Sequence, residues 1–164
     1  MMDFVGKVVL VTGSSRGIGR AIAGKFASRG ARVAVHFVSD RKAAEDTLEQ
    51  LQGNDHFLVH ADMADSQSVA AMIESVVRQA GRIDILVNNA GIYEEHPLAD
   101  VTYEVWQESW RRVVDINLVG AANACFCAAR QMIVQGGGRI VNVSSRGAFR
   151  GEPLGPAYGA SKAG

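Results

Sequence analysis

The stretch Lys7-Val-Val-Leu-Val-Thr-Gly-Ser-Ser-Arg-Gly-Ile-Gly19 decides the fold class of this chain. Its first residues form a short apolar, β-branched run that is typical of a buried β-strand. Three glycines follow within seven positions, and Ile18, Ile22 and Phe26 then recur at the spacing of one helix face. A strand, a glycine-rich turn and a helix in this order predict the start of an α/β sheet whose turn faces a phosphate group.

Strands and helices continue to alternate along the rest of the chain. Further strands are predicted over residues 32–37, 56–60, 84–89 and 139–144, and further helices around 44–51, 66–80 and 102–135, the last interrupted at Gly120. The strand runs are apolar throughout, which indicates strands buried on both faces, and the intervening helices indicate parallel pairing. We therefore predict one α/β dinucleotide-binding domain over residues 1–164. It is a Rossmann-type doubly wound parallel sheet of five strands in the order 3-2-1-4-5, with helices on both faces.

The overall composition limits the classes of function. Of the 164 residues, 48% are apolar and 21% are charged, and 17 Lys and Arg balance 17 Asp and Glu. This neutral balance predicts no nucleic-acid partner and no membrane partner. The beginning of the sequence has no basic segment followed by an apolar core, so we expect a cytoplasmic protein without a signal peptide. Cys125, Cys127 and the four histidines lack metal-ligand spacing, so no metal site is predicted.

The turn after the first predicted strand is a candidate phosphate-binding site. Its glycines allow a tight turn and let backbone N–H groups approach a pyrophosphate at a helix N-terminus. The spacing G-x-x-x-G-x-G differs from the G-x-G-x-x-G fingerprint, and Ile18 stands where a Walker A loop has its second glycine. The alternative is a glycine-rich turn that binds no ligand. The candidate cofactor-binding residues in this turn are Gly13, Ser15, Arg16, Gly17, Ile18 and Gly19.

A second candidate site lies near the end of the sequence. Ser145 follows the fifth predicted strand, so we expect it at the sheet edge where open α/β sheets bind ligands. Pro156 suits the first turn of a helix, on which Tyr158 and Lys162 then share one face. A cation beside a phenol favours the phenolate, which makes such a pair an acid/base group. Taken alone, a Tyr-x-x-x-Lys pair is more often part of a solvated helix face.

In their order along the chain, these motifs resemble those of the short-chain dehydrogenase/reductase family, and within it the 3-oxoacyl-carrier-protein reductase type. The resemblance covers the whole chain and includes Asn88-Asn89-Ala90-Gly91 after the fourth predicted strand. Asn117, Ser145 and Tyr158 follow one another at intervals of 28 and 13 positions, as they do in the family. Several motifs in one order are specific, although each motif alone is not.

The resemblance implies an oxidoreductase that transfers a hydride between a nicotinamide cofactor and a ketone or secondary alcohol. It implies that Tyr158 is the general acid/base and that Ser145 hydrogen-bonds the carbonyl oxygen. It further implies that Lys162 binds the nicotinamide ribose and that Asn117 holds a water of the proton relay. The other residues expected to contact the cofactor are Asp62 at the adenine, and Asn89, Ala90 and Gly91 beside Tyr158 and Lys162.

The end of the second predicted strand bears on the choice between NAD(H) and NADP(H). In dinucleotide-binding folds, an acidic residue there binds the adenosine ribose, and it would repel a 2′-phosphate. Phe37 stands at that place here, while Arg16 in the glycine turn and Arg41 and Lys42 after Asp40 supply positive charge. A guanidinium suits phosphate because it can bind two oxygens at once. We therefore predict NADP(H) over NAD(H), with a solvated helix start as the alternative for Arg41 and Lys42.

The length of the sequence differs from that of the family's domain, which continues beyond the Tyr-Lys pair. This sequence ends at Gly164, so we expect a fragment of a longer enzyme whose C-terminal strands are missing. Weak NADPH binding, little turnover and an exposed fifth strand would follow. A homo-oligomer is expected at full length, with Trp106 and Trp110 either at a subunit interface or in the core. Two alternatives remain open: a non-catalytic dinucleotide-binding remnant, and a sugar-nucleotide epimerase or dehydratase, which the glycine spacing disfavours.

Overall fold

The computed structural model describes residues 3–164 and contains a five-stranded sheet. Its strands are β1 (Val8–Val11), β2 (Arg32–Phe37), β3 (Phe57–His60), β4 (Ile85–Asn88) and β5 (Arg139–Asn142). They lie in the order β3-β2-β1-β4-β5, and every neighbouring pair is parallel. The predicted strand order and parallel pairing are therefore confirmed.

Helices connect successive strands, and two more helices follow the last strand, β5. They are α1 (Gly17–Ala27), α2 (Arg41–Gln50), α3 (Ser66–Ala80), α4 (Tyr103–Val114), a π-helical turn (Asp115–Val119), α5 (Gly120–Val134), α6 (Gly147–Arg150) and α7 (Pro156–Ala163). Polar side chains begin three of them, because Asp40, Asp65 and Thr102 each accept a hydrogen bond from a backbone N–H of the first turn. Gly81 ends α3 in the left-handed conformation with φ +76°.

Alternate residues of the central strand belong to two different core layers. On one face of β1, Val8 and Leu10 pack with apolar side chains of α3 and α5. On the other face, Val9 and Val11 pack with small and apolar side chains of α1 and α2. Because successive side chains of a strand point to opposite faces, one apolar run can serve both layers. The predicted placement of helices on both faces of the sheet is thus confirmed.

The predicted interruption of the long helical region at Gly120 is wrong. Gly120 is helical, with φ −60° and ψ −42°, and the helix continues from α4 through the π turn Asp115–Val119 into α5. A Cβ at Gly120 would collide with the carbonyl oxygen of Met63, in the loop after β3. This glycine therefore lets α5 approach that loop closely, and it does not break the helix.

The continuous helical run Tyr103–Val134 is 32 residues long, and its length and composition alone would allow it to cross a membrane. A single run of this kind is weak evidence, because the core helix of a soluble protein passes the same test. In this fold Val113, Ala124, Ala128 and Met132 are buried on its inner face. The run is thus used as a core helix that covers one face of the sheet.

The fifth strand, β5, is an edge strand. It pairs with β4 on one side, with Val87 opposite Val141 in the register. Its residues are half-buried or exposed, in contrast to the buried residues of β1 and β4. Val141 is 48% exposed although its side chain is apolar. The expected exposure of the fifth strand is observed.

Candidate active site

The glycine turn between β1 and α1 is closed by three contacts that admit no side chain. Gly13 and Gly17 have φ values of +65° and +56°, which favour glycine. A Cβ at Gly13 would lie 3.0 Å from the Cα of Ala90, and a Cβ at Gly19 would collide with the carbonyl oxygen of Gly13 and approach Nδ2 of Asn89 to 2.6 Å. The first turn of α1 is therefore seated directly on the end of the first strand.

The front of the same turn is open and polar. Arg16 occupies the N-cap position of α1 and makes no capping hydrogen bond through its side chain. A Cβ built on Gly17 would meet no atom within 4 Å. The first N–H groups of a helix have no intrahelical partner, so this turn presents donors and free space to an anion. The residues present thus fit a dinucleotide phosphate.

A cleft of about 590 Å³ extends from this turn along the carboxyl ends of the strands. The end of β2 forms part of its wall, where Phe37 is buried and stacks edge-on against His60. The sequence-predicted cofactor residues on the cleft are Gly13, Ser15, Arg16, Ile18, Gly19, Asp62, Asn89, Ala90 and Gly91. The cleft is thus lined by nine of the twelve residues that were assigned to the cofactor from the sequence. Gly17, Tyr158 and Lys162 do not line it, and Lys162 lines a second cavity together with Asn117.

The basic residues at this end of the cleft differ in their partners. Arg41 pairs with Glu45 at 2.9 Å and Lys42 with Asp46 at 2.7 Å, both along the exposed face of α2. Arg16 is exposed on the cleft and has no salt-bridge partner within the described part of the chain, residues 3–164. The alternative of a solvated helix start thus describes Arg41 and Lys42 well, which leaves Arg16 as the free guanidinium.

Asp62 forms the turn that follows β3. Its Oδ1 accepts a hydrogen bond of 2.9 Å from the N–H of Ala64, and its carbonyl oxygen accepts one from the N–H of Asp65. The residue is exposed on the rim of the cleft. It is therefore a turn residue by its hydrogen bonds, and contact with an adenine stays a prediction.

The segment after β4 is fastened to the glycine turn through Thr12. Oγ1 of Thr12 accepts hydrogen bonds of 3.0 Å from the backbone N–H groups of both Asn89 and Ala90. Nδ2 of Asn89 donates to the carbonyl oxygen of Thr12 at 2.9 Å. These contacts lock the ends of β1 and β4 together at the base of the cleft.

The same segment touches the other candidate site at its far end. A Cβ at Gly91 would lie 3.2 Å from Oδ1 of Asn117 and 3.3 Å from Nζ of Lys162. Oδ1 of Asn117 accepts from the N–H of Ile92 at 2.8 Å, and its Nδ2 donates to Ile92 O at 2.9 Å and to Oγ of Ser161 at 3.1 Å. Asn117 is buried in the π turn, a distortion often found at functional sites. It anchors the segment after β4 to α7.

Tyr158 and Lys162 lie on one face of α7, as predicted. Nζ of Lys162 is 5.9 Å from the centre of the Tyr158 ring and donates to the carbonyl oxygen of Val143 at 3.1 Å. The lysine is half-buried, and this burial lowers its pKa below the ordinary value. The Tyr93 ring packs edge-on against that of Tyr158, with centroids 5.2 Å apart. The Tyr158 ring thus contacts a second aromatic ring and lies near a half-buried cation.

Ser145 lies two residues before the short helix α6, which packs against α7. Its Oγ accepts a hydrogen bond of 3.2 Å from the N–H of Gly147. A Cβ at Gly159, on α7, would lie 3.2 Å from the carbonyl oxygen of Gly147, so α6 and α7 are in close contact there. Oγ of Ser144 also donates to the carbonyl oxygen of Lys162 at 2.9 Å. The loop after β5 and the Tyr158 helix therefore form one unit.

The contact that His96 makes with the Tyr158 helix was not predicted from the sequence. His96 is fully buried, and its Nε2 accepts from the N–H of Ala157 at 3.4 Å, in the first turn of α7. The backbone N–H of His96 donates to the carbonyl oxygen of Leu154 at 2.8 Å. A histidine between glutamate and proline carries no local signal of burial, so only the fold reveals that it holds the Tyr158 helix.

Comparisons with known proteins agree with this arrangement. Residues 7–164 match the family model for short chain dehydrogenase. The chain is 42% identical over 160 residues to the 3-oxoacyl-[acyl-carrier-protein] reductase FabG of Staphylococcus aureus, covering 96% of this chain and 63% of that protein. It is 38% identical over 160 residues to an uncharacterized oxidoreductase of Thermotoga maritima, covering 97% of this chain and 61% of that protein.

A solved structure gives the same result. A crystal structure described as a short-chain alcohol dehydrogenase from Sinorhizobium meliloti is similar to this chain with a TM-score of 0.84 and 36% sequence identity. The similarity covers 99% of this chain and 63% of that chain. The chain therefore spans somewhat under two thirds of the length of the relatives that it matches.

Proposed function

The chain belongs to the short-chain dehydrogenase family of oxidoreductases, and from that premise we propose that it transfers a hydride between NADP(H) and a ketone or secondary alcohol. In this proposal the glycine turn holds the dinucleotide and Tyr158 moves the proton. The substrate is a small carbonyl or alcohol compound in solution, and the protein is cytoplasmic.

The observation that carries the proposal is the position of the segment Asn89–Gly91. At one end its backbone N–H groups are bound by Thr12, next to the glycine turn. At the other end Gly91 lies against both Asn117 and Lys162. A single short segment thus connects the phosphate cradle with the acid/base pair. An extended ligand, with a phosphate at one end and a reacting ring at the other, matches this layout.

The proposed chemistry is carbonyl reduction with Tyr158 as the proton donor. A nicotinamide held in the cleft supplies the hydride to the carbonyl carbon when it is bound. Tyr158 transfers its phenolic proton to the carbonyl oxygen, which leaves a phenolate and an alcohol; the oxidation direction reverses both transfers. Ser145 donates a hydrogen bond to the oxygen as its negative charge develops. The ammonium group of Lys162, close to the Tyr158 ring, offsets the phenolate charge.

The preference for NADP(H) rests on the charges around the cleft. Arg16 is free to bind a 2′-phosphate with two hydrogen bonds. Phe37 places an apolar ring where NAD-dependent folds carry a carboxylate. Two acids lie on the cleft, and both carboxylates accept hydrogen bonds from the backbone: Asp40 caps α2 at 2.9 Å from the N–H of Ala43, and Asp62 accepts from the N–H of Ala64. These contacts favour NADP(H) over NAD(H).

We propose a homo-oligomer that uses the outer face of α4 and α5. Tyr103, Phe126 and Ile133 are exposed on these helices, although they are large and apolar. Trp106 and Trp110 are half-buried; the Trp106 ring stacks on that of Tyr103 and lies tilted against that of Trp110. An apolar surface of this kind is typical of a protein–protein contact.

The test is a matched pair of tyrosine variants in the protein expressed from its complete reading frame. Tyr158→Phe is expected to lower the rate of NADPH-dependent ketone reduction about a hundredfold or more, because it removes the proton donor. Tyr93→Phe, which removes a hydroxyl from the neighbouring ring, should leave the rate nearly unchanged. Turnover is measured as NADPH oxidation with a panel of ketones, and NADPH binding is measured in parallel. A Tyr158→Phe enzyme that keeps its activity would refute the proposed mechanism.

A further inference from the structure

A buried histidine of β2 supports the glycine turn from behind. His36 is 2% exposed, and its Nδ1 accepts a hydrogen bond of 2.8 Å from the backbone N–H of Gly13. Its Nε2 lies 3.0 Å from the carbonyl oxygen of Ala61, at the end of β3. A backbone N–H can only donate and a carbonyl can only accept. The ring is therefore neutral, with its proton on Nε2.

The surroundings of the ring favour this neutral form. Burial, the largest effect, lowers the pKa of His36 to about 4; the hydrogen bond to Ala61 opposes this shift, and nearby His60 adds to it. At neutral pH the ring is thus an acceptor toward Gly13. A charged ring would turn a second N–H toward the N–H of Gly13 and break the contact.

The side chain acts at the residue on which the shape of the turn depends. Gly13 has a left-handed backbone and lies against Ala90, so it joins the glycine turn to the segment after β4. The neighbouring residue, Ser14, is fixed separately: its N–H donates to the carbonyl oxygen of His36 at 3.1 Å, and its Oγ donates to Val11 O at 2.7 Å. The imidazole is therefore the side chain that holds the N–H of Gly13.

We propose that His36 is a positioning residue for the cofactor, whose imidazole fixes Gly13 and so holds the glycine turn in the shape that receives a dinucleotide phosphate. This inference rests on the proposed function, because the dinucleotide belongs to it. His36 itself lies behind the turn and acts through Gly13. It sets the geometry of the donors on the front of the turn.

Two amide variants separate the two hydrogen bonds of the ring. In His36→Asn, the side-chain oxygen can take the place of Nδ1 and accept from Gly13, while the contact with Ala61 is lost. In His36→Gln, the longer side chain can donate to Ala61, while the acceptor for Gly13 is lost. We expect His36→Asn to bind NADPH nearly as well as the wild type, and His36→Gln to bind about five- to tenfold more weakly. Thermal unfolding of both variants controls for general loss of structure.

Hydrogen exchange of the Gly13 amide, measured without any dinucleotide, gives an independent readout. Exchange should be faster in His36→Gln than in the wild type and His36→Asn. Equal exchange rates in the three proteins, or equal NADPH affinities, would overturn the inference. Failure of the wild type to bind either NADPH or NADH would instead overturn the proposed function, and the exchange rates would still decide whether His36 holds the turn.

A measurement on the wild type alone covers the case in which His36→Gln fails to fold. Nitrogen NMR of the ring should show Nδ1 without a proton and Nε2 with one at pH 6, where an exposed histidine is largely protonated. A proton on Nδ1 at that pH would exclude the hydrogen bond from Gly13 and overturn the inference.

Discussion

The close contact between α1 and the end of β1 can be tested with two glycines of the same helix. Alanine in place of glycine inside a helix is expected to add about 1 kcal/mol of stability. At Gly24 a Cβ would meet no atom within 4 Å, so Gly24→Ala keeps that gain. At Gly19 the Cβ would collide with the carbonyl oxygen of Gly13, and overpacking against a fixed backbone costs about 1–3 kcal/mol.

Because both substitutions share the propensity gain, the difference between them measures the collision alone. Gly19→Ala should be less stable than Gly24→Ala by about 1–3 kcal/mol, or about 2–12 °C in Tm for a domain of this size. It should also bind NADPH more weakly, since the added methyl pushes against the glycine turn. The assays are thermal unfolding followed by circular dichroism and NADPH titration. If Gly19→Ala matches Gly24→Ala in both, then α1 is not seated on the turn.

Two further predictions concern charged side chains. Arg16→Ala is expected to weaken NADPH binding about tenfold and to leave NADH binding unchanged, whereas the control Arg41→Ala should change neither affinity. A fluorescence titration with both dinucleotides measures the affinities. Equal losses of affinity for NADPH and NADH in Arg16→Ala would contradict the proposed role of Arg16. The carboxylate of Asp84 accepts hydrogen bonds from the N–H of Val8 at 2.9 Å and from the guanidinium of Arg82 at 2.6 and 2.8 Å. Asp84→Asn should therefore lower the free energy of unfolding by about 1–3 kcal/mol, measured by urea unfolding at pH 7. Asp46→Asn, which removes one member of an exposed ion pair, should lower it by only about 0.3–0.5 kcal/mol. Although burial opposes it, hydrogen bonding and the charge of Arg82 hold the pKa of Asp84 below its usual value of 3.8. The ionised carboxylate of Asp84 therefore adds to the free energy of unfolding above about pH 4, and this stabilisation is lost only below that pH. Equal losses of stability in Asp84→Asn and Asp46→Asn would refute the stabilising role of Asp84.

The strands of the sheet could be predicted because the sequence features that mark a strand lie within the strand and its flanking residues. Each strand is a short apolar run between turn residues, and parallel order follows from the helices between the runs. The caps at Asp65 and Thr102 are local in the same sense, since a capping side chain binds the backbone two or three residues onward. Residues that share a helix face, such as Tyr158 and Lys162, can also be identified from their spacing alone.

The contacts that were not predicted depend on approach between distant parts of the chain. Gly120 looked like a helix break, but its role depends on a carbonyl 57 positions earlier, at Met63. His96 and His36 carry no periodic signal, and their partners lie in other elements of the fold. The basic residues after the second strand suggested phosphate binding by charge, whereas ion pairs along α2 occupy Arg41. The residue type shows which interactions a side chain can make, and the fold determines which partner it binds.

The hydrogen bonds behind the glycine turn explain why its front is suited to an anion. The carbonyl oxygen of Ser15 accepts from Arg20 and from Thr47, and the N–H of Gly13 is held by His36. Because the Ser15 carbonyl and the Gly13 N–H are already bound, we infer that the turn is held in one conformation and that its own carbonyl groups do not bind the N–H groups at the start of α1. Arg16, Ile18 and Gly19, at the start of α1, line the cleft, and the first N–H groups of a helix have no intrahelical partner, so a phosphate bound there can accept from them. Hydrogen bonds with the side chains of Arg20, Thr47 and His36 thus fix the turn in the absence of any ligand.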